Sequence, residues 1–182
     1  MSLCLIFIGC NSNQTKEIEK TVTVNKGEKK MTLSADVDGL SKEKVQIETK
    51  YGNIIYKFYS DDAPNTTKRM MELISSKFYD GLTFHRVIPG FVAQGGDPLG
   101  NGTGGSGQKQ KAEFNSRKHL NGTLAMARSS DPNSADSQFY ICLGAQPHLN
   151  NQYTVFGQVI EGLDLISKIQ VGDKMISVKI IE

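Results

Sequence analysis

Neither sign of charge dominates this chain of 182 residues: 21 Lys and Arg stand against 19 Asp and Glu, a formal net charge of +2. A field broad enough to hold nucleic acid or an anionic membrane surface is therefore excluded, and any partner must be held by local contacts. Proline is scarce, at five residues, while the 18 glycines are densest between Gly81 and Gly122. That balance argues for many tight turns and one long irregular stretch, and against a helical bundle. A β-rich fold is the expectation. Cysteine is limited to Cys4, Cys10 and Cys142. No metal-ligand spacing links them, and a disulfide framework is not expected. Cys142, inside the apolar run FYICL, reads as a small core hydrophobe rather than a nucleophile. Long apolar runs are missing too. The run at the start, MSLCLIFIGC, is too short to span a bilayer and lacks the basic start of a complete signal peptide. The length and a hydrophobic content of 38% suit one domain with a real core plus a short appendage.

The familiar catalytic constellations are also missing. His85, His119 and His148 lie far apart and follow no metal-binding helix pattern, so each reads as structural or exposed rather than as a ligand. GNGTGG at 100–105 matches G-x-G-x-x-G, but SGQKQKAEFN follows it instead of a helix with a distant acid. The dinucleotide reading fails on that context, and a flexible loop is expected. No Ser occupies a G-x-S-x-G elbow, and no paired carboxylates share an apolar setting. If the chain is an enzyme, its reaction needs no nucleophile, metal or cofactor.

What is present is alternation. VQIETKYGNIIYKFY alternates around YGN and predicts a β-hairpin. Asp61 or Asp62 can cap a following helix with Pro64 in its first turn, with apolar residues at 70, 71, 73, 74 and 78 and a stop at Gly81. Further strands are predicted at LTFHRVI, FVAQGG, GTLAMAR, SQFYICL, TVFGQVI and MISVKII, and a short helix at LDLISKI. Six or more short strands with two helices describe a barrel with plugged ends. At the other end of the chain, Phe7, Ile8, Gly9 and Cys10 resemble the close of a bacterial lipoprotein signal, with a Phe where Leu is usual. The polar NSNQTKEIEK then reads as a tether, so residues 1–20 are assigned to signal remnant and tether, 21–43 to a linker or extra edge strand, and 44–182 to the folded domain.

FHRVIPGFVAQGGD at 84–97 resembles the signature segment of the cyclophilins, and LAMARSSDPNSADSQFYICL and HLNNQYTVFGQV follow in the family's order. The resemblance covers roughly residues 45 to 182. It implies a closed eight-stranded antiparallel β-barrel capped by two α-helices, and the activity of a peptidyl-prolyl cis-trans isomerase. Rotation about an X-Pro bond breaks no bond, which suits a chain without a nucleophile. By motif position, Arg86, Phe91 and Gln94 are the catalytic candidates, with Arg86 donating toward the prolyl nitrogen. Val92, Ala127, Arg128, Gln138, Tyr140, His148, Leu149 and Tyr153 correspond to the peptide groove and proline pocket, while Phe139 is read as core.

The departures from the family pattern are His148 for Trp, Val92 for Met, Tyr140 for Phe, Tyr153 for His, Arg128 for Asn and Asp136 for Gly. The first implies weakened binding of the drug cyclosporin rather than lost catalysis, and the hydroxyl of Tyr140 needs a partner. Expected partners are proline-containing peptides and unfolded proteins, with no nucleic acid, no cofactor, a monomeric chain, and membrane contact only through a lipid on Cys10. That lipid would place the domain in the cell envelope, on its periplasmic or extracellular face; without it a cytoplasmic location stays open. A peptide-binding module with little turnover and a purely structural barrel are the alternative readings.

Overall fold

The computed structural model describes residues 38–181, all within one compact unit, Leu33–Glu182. Cys10, the tether of residues 1–20 and most of the 21–43 linker lie outside the described residues; residues 38–43 form a turn and a bend rather than a strand. The predicted hairpin is β1 (Lys44–Thr49) and β2 (Gly52–Phe58), joined by Lys50 and Tyr51. Gly52 closes this turn at φ +125°, a conformation that L side chains rarely adopt.

Helix α1 (Pro64–Ser75) follows, with Met70, Leu73 and Ile74 buried at helical spacing. Its capping departs from expectation. Ala63 is the N-cap and offers no side-chain bond, and Asp62 is instead paired with Arg117 at 2.9 Å. The carboxylate of Glu113 does the capping from far along the chain, accepting from the backbone N–H of Asn65 (3.0 Å) and of Thr66 (2.8 Å). The helix also stops at Ser75, before Gly81.

The remaining strands are β3 (Arg86–Ile88), β4 (Val92–Gly95), β5 (Thr123–Met126), β6 (Phe139–Cys142), β7 (Val155–Glu161) and β8 (Ser177–Ile181), with the single-turn helix α2 (Leu163–Ile166) before the last. They form one eight-stranded antiparallel sheet in the order β3-β4-β6-β5-β7-β2-β1-β8. The expectation of a closed barrel is met only in part: the sheet is curled, and among the described residues β3 and β8 are not paired as strands. A short bridge, Thr83 to Lys174, links the segments just before them. Strand β3 has only three residues, and its pairing is with β4.

The central strands are buried on both faces, and the alternation of period two sends successive residues to different clusters. Ala93, Leu124, Met126, Phe139, Ile141 and Phe156 join the main core, with Val45, Ile47, Ile54 and Phe58 of the hairpin. Val92, Ala125, Tyr140, Cys142 and Val155 face the other way into a smaller cluster.

Candidate active site

The smaller cluster opens onto the site. Across the sheet, register sets Arg86 opposite Gln94, Gln94 opposite Tyr140, Tyr140 opposite Ala125, and Ala125 opposite Val155. Cross-strand partners share a face, so one row delivers a guanidinium, an amide and an aromatic ring side by side. A slip of one residue in any of these pairings would turn that row inward.

Above the row lies a cavity of about 160 Å³ whose walls are Arg86, Phe91, Val92, Gln94, Ala127, Arg128, Tyr140, Leu149 and Tyr153. Nine of the eleven candidates in the domain therefore converge on one cavity. The other two adjoin it: His148 stacks on Phe91 with centroids 5.7 Å apart, and Gln138 bonds to Gln94. Val92 and Tyr140 form a buried floor, and the ring of Tyr153 meets that of Tyr140 edge-on at 5.8 Å. Phe139, the neighbour of Tyr140, is 2% exposed and belongs to the main core, as expected.

The polar side of the cavity is oriented by a chain of hydrogen bonds. The Gln138 side-chain nitrogen donates to the carbonyls of Gly102 (3.0 Å) and Gly104 (2.8 Å), two groups that can only accept. Its Oε1 must then face Gln94, whose Nε2 donates to it at 3.0 Å. Gln94 in turn presents Oε1 to Arg86 Nη1 at 3.4 Å. The guanidinium also sits over the Phe91 ring, with Cζ 5.7 Å from the centroid.

The glycine-rich loop is part of this scaffold rather than a free tether. Asp97 accepts from the N–H groups of Leu99 (2.8 Å) and Asn101 (3.0 Å), and a Cβ at Gly104 would collide with its carboxylate. Burial pushes the Asp97 carboxyl up, but these backbone N–H groups outweigh it and hold the group below the usual carboxylate value. Beyond Gln94 and Gln138 the loop borders a second cleft of about 380 Å³, where Asp136 accepts from Ser106 N–H at 2.6 Å.

Arg128 is held rather than loose. Its Nε and Nη2 donate to the Gln152 carbonyl, Nη1 donates to those of Ser129 and Ser130, and Cζ lies 4.8 Å from the Tyr153 centroid. Cys142 is fully buried, and burial pushes its thiol up to about 12, far from nucleophilic use. Among the described residues no three His, Cys, Asp or Glu side chains are grouped to hold a metal ion. One residue of the site was not legible in the sequence: His119, which is 1% exposed and lies within hydrogen-bond distance of Tyr140.

Known proteins are similar to this chain in sequence and fold. The family described as cyclophilin type peptidyl-prolyl cis-trans isomerase matches residues 44–181. A peptidyl-prolyl cis-trans isomerase of Synechococcus elongatus is 49% identical over 137 residues, 74% of this chain and 94% of that relative. Peptidyl-prolyl cis-trans isomerase B of Bacillus subtilis is 46% identical over 132 residues, 71% of this chain and 92% of that relative. Among solved structures, a cyclophilin type isomerase of Cryptosporidium parvum, crystallised in the presence of the dipeptide Ala-Pro, is similar with a TM-score of 0.71 and 31% identity, over 76% of this chain and 99% of that one. With the family match over residues 44–181, these relatives and the fold in agreement, the chain belongs to the cyclophilin-type peptidyl-prolyl cis-trans isomerases.

Proposed function

We propose that the enzyme accelerates X-Pro rotation by seating the pyrrolidine ring in the cavity over Val92 and Tyr140 while Arg86 donates a hydrogen bond toward the prolyl nitrogen. A planar amide resists rotation by about 18–20 kcal/mol because the nitrogen lone pair is conjugated with the carbonyl. Twisting the bond returns that lone pair to a pyramidal nitrogen, which accepts a hydrogen bond better than the planar one. A donor fixed at that place binds the twisted form in preference to both planar forms. Each ~1.4 kcal/mol of such preference is worth tenfold in rate. The apolar wall holds one side of the bond while the other turns, and Ala127 beside it can contact the peptide backbone.

The observation that carries this reading is the Gly102/Gly104–Gln138–Gln94–Arg86 chain, which aims guanidinium donors at the mouth of an apolar pocket sized for a small ring. The substrates are proline-containing peptides and unfolded chains. Exchange spectroscopy on a short X-Pro peptide with catalytic amounts of protein tests it. Acceleration by the parent that collapses in Arg86→Ala supports the role of Arg86; acceleration that survives the substitution overturns it.

The lipid attachment at Cys10 and the envelope location rest on sequence pattern alone. Mass spectrometry of the chain expressed in a bacterium, with Cys10→Ala as control, tests both: a diacylglyceryl mass on Cys10 supports them, and an unmodified thiol in the soluble fraction removes them.

A further inference from the structure

We infer that His119 is a positioning residue for the isomerisation site: its neutral ring, protonated on Nδ1, accepts the hydroxyl proton of Tyr140 and so sets the floor of the proline pocket. This rests on the isomerase reading above and deepens it.

Geometry determines the direction of each bond. The backbone N–H of His119 donates to Asn150 Oδ1 at 2.8 Å, so the atom of Asn150 that faces His119 must be an acceptor. The same Oδ1 lies 3.1 Å from His119 Nδ1, which therefore carries the proton. In a neutral imidazole Nε2 is then the acceptor, and its neighbour at 3.1 Å is the hydroxyl of Tyr140. Tyr140 thus donates. His119 also ties together the segment that carries the outer wall of the pocket: its carbonyl accepts from the Gln146 N–H at 2.7 Å, and Gln146 Nε2 donates to the Gly90 carbonyl beside Phe91. Leu149 and Asn150 belong to this same stretch. The edge of the His119 ring, at 80° to the ring of Tyr153, completes a contact with the third aromatic wall.

The arrangement requires an uncharged His119. An imidazolium would make Nε2 a donor, and the Tyr140 hydroxyl would have to turn and accept, leaving its own proton without a partner beneath an apolar pocket. The surroundings oppose that charge. Burial lowers the affinity of His119 for the second proton, Asn150 raises it, and His148 lowers it again. Among the described residues, the titratable and charged groups that act on the pair are His148, Tyr153, Cys142 and Arg128, with no carboxylate among them.

The test uses the full chain labelled with ¹⁵N-histidine, together with Tyr140→Phe, His119→Gln and the double variant. At neutral pH, long-range ¹H–¹⁵N spectra should show His119 as the Nδ1–H tautomer. Tyr140→Phe should shift its Nε2 resonance and move its titration to higher pH, because the bond that favours the neutral ring is gone. In isomerase assays of the parent, KM for an X-Pro peptide should rise about three- to tenfold as pH falls through the His119 titration, with kcat changing less. His119→Gln should raise KM by a similar factor in the parent and add nothing in the Tyr140→Phe background. An Nε2–H tautomer overturns the proposal, as do equal effects of His119→Gln in both backgrounds. Should the parent catalyse no exchange, the isomerase reading fails, while the tautomer and its response to Tyr140→Phe still decide the role of His119.

Discussion

The two faces of the same central strands are used differently. On one side Phe139, Ile141, Leu124, Met126 and Phe156 pack into a core of apolar residues. On the other, Tyr140, Cys142, Ala125, Val92 and Val155 form a shallower cluster ringed by partly buried Phe91, Ala127, Leu149 and Tyr153. The first is buried; the second is open, and Gln94, Gln138 and His119 bring polar groups to its edge. Because neighbours along a strand alternate between these environments, stability and chemistry are separated by a single step in sequence. A substitution on one face should damage folding, and one on the other should damage catalysis.

The largest effect expected from this division is on the core face. Phe156 is fully buried and meets the rings of Tyr56, Phe58 and Phe139, so Phe156→Ala should cost about 3–5 kcal/mol in denaturant unfolding. Arg86→Ala should show the opposite profile: Arg86 is exposed, so the unfolding midpoint should stay within about 0.5 kcal/mol of the parent, while kcat/KM falls by roughly 10²–10³, the loss typical of one donor aimed at a transition state. Comparable loss of stability in both variants would erase the distinction between the faces.

Glu113 sharpens it, since it lies away from the pocket yet fastens α1. Burial pushes its carboxyl up, but bonds from Thr66 and Asn65 outweigh this and hold it below the usual value. A carboxylate with a lowered folded-state pKa contributes stability above its unfolded pKa and loses it as pH falls through the folded one. Glu113→Gln should therefore cost about 1 kcal/mol at neutral pH, a difference that shrinks on acidification, with isomerase activity retained. A gap between parent and variant that does not change with pH would mean the charge is not what caps the helix.

The smallest effect concerns the rim. His148 stacks on Phe91, at the place where the resemblance described above implies Trp. His148→Trp should tighten cyclosporin binding by up to about tenfold, the worth of one hydrogen bond, and leave turnover within a factor of a few. Titration calorimetry gives the first number and the exchange assay the second.

Much of this was readable in the chain. The hairpin, the eight strands and both helices follow from alternation and turn residues, and the motif from Phe84 to Asp97 points to the site. The helix cap was not readable, because Glu113 stands 48 residues from Asn65 and no local pattern joins them. Nor was the glycine-rich loop, whose order comes from Asp97 and Gln138 rather than from its own composition. The sequence reading of His119 as structural or exposed agrees with its burial, but not even that reading could place the ring within hydrogen-bond distance of Tyr140.

The sequence by itself determined which residues alternate and where the chain turns, because these depend on neighbours along the chain. Tertiary structure alone decided that Arg86, Gln94 and Tyr140 share one row, that the sheet curls without a β3–β8 ladder, and which ring nitrogen of His119 faces Tyr140. Those depend on strand register and on contacts between distant segments, and neither exists until the chain has folded.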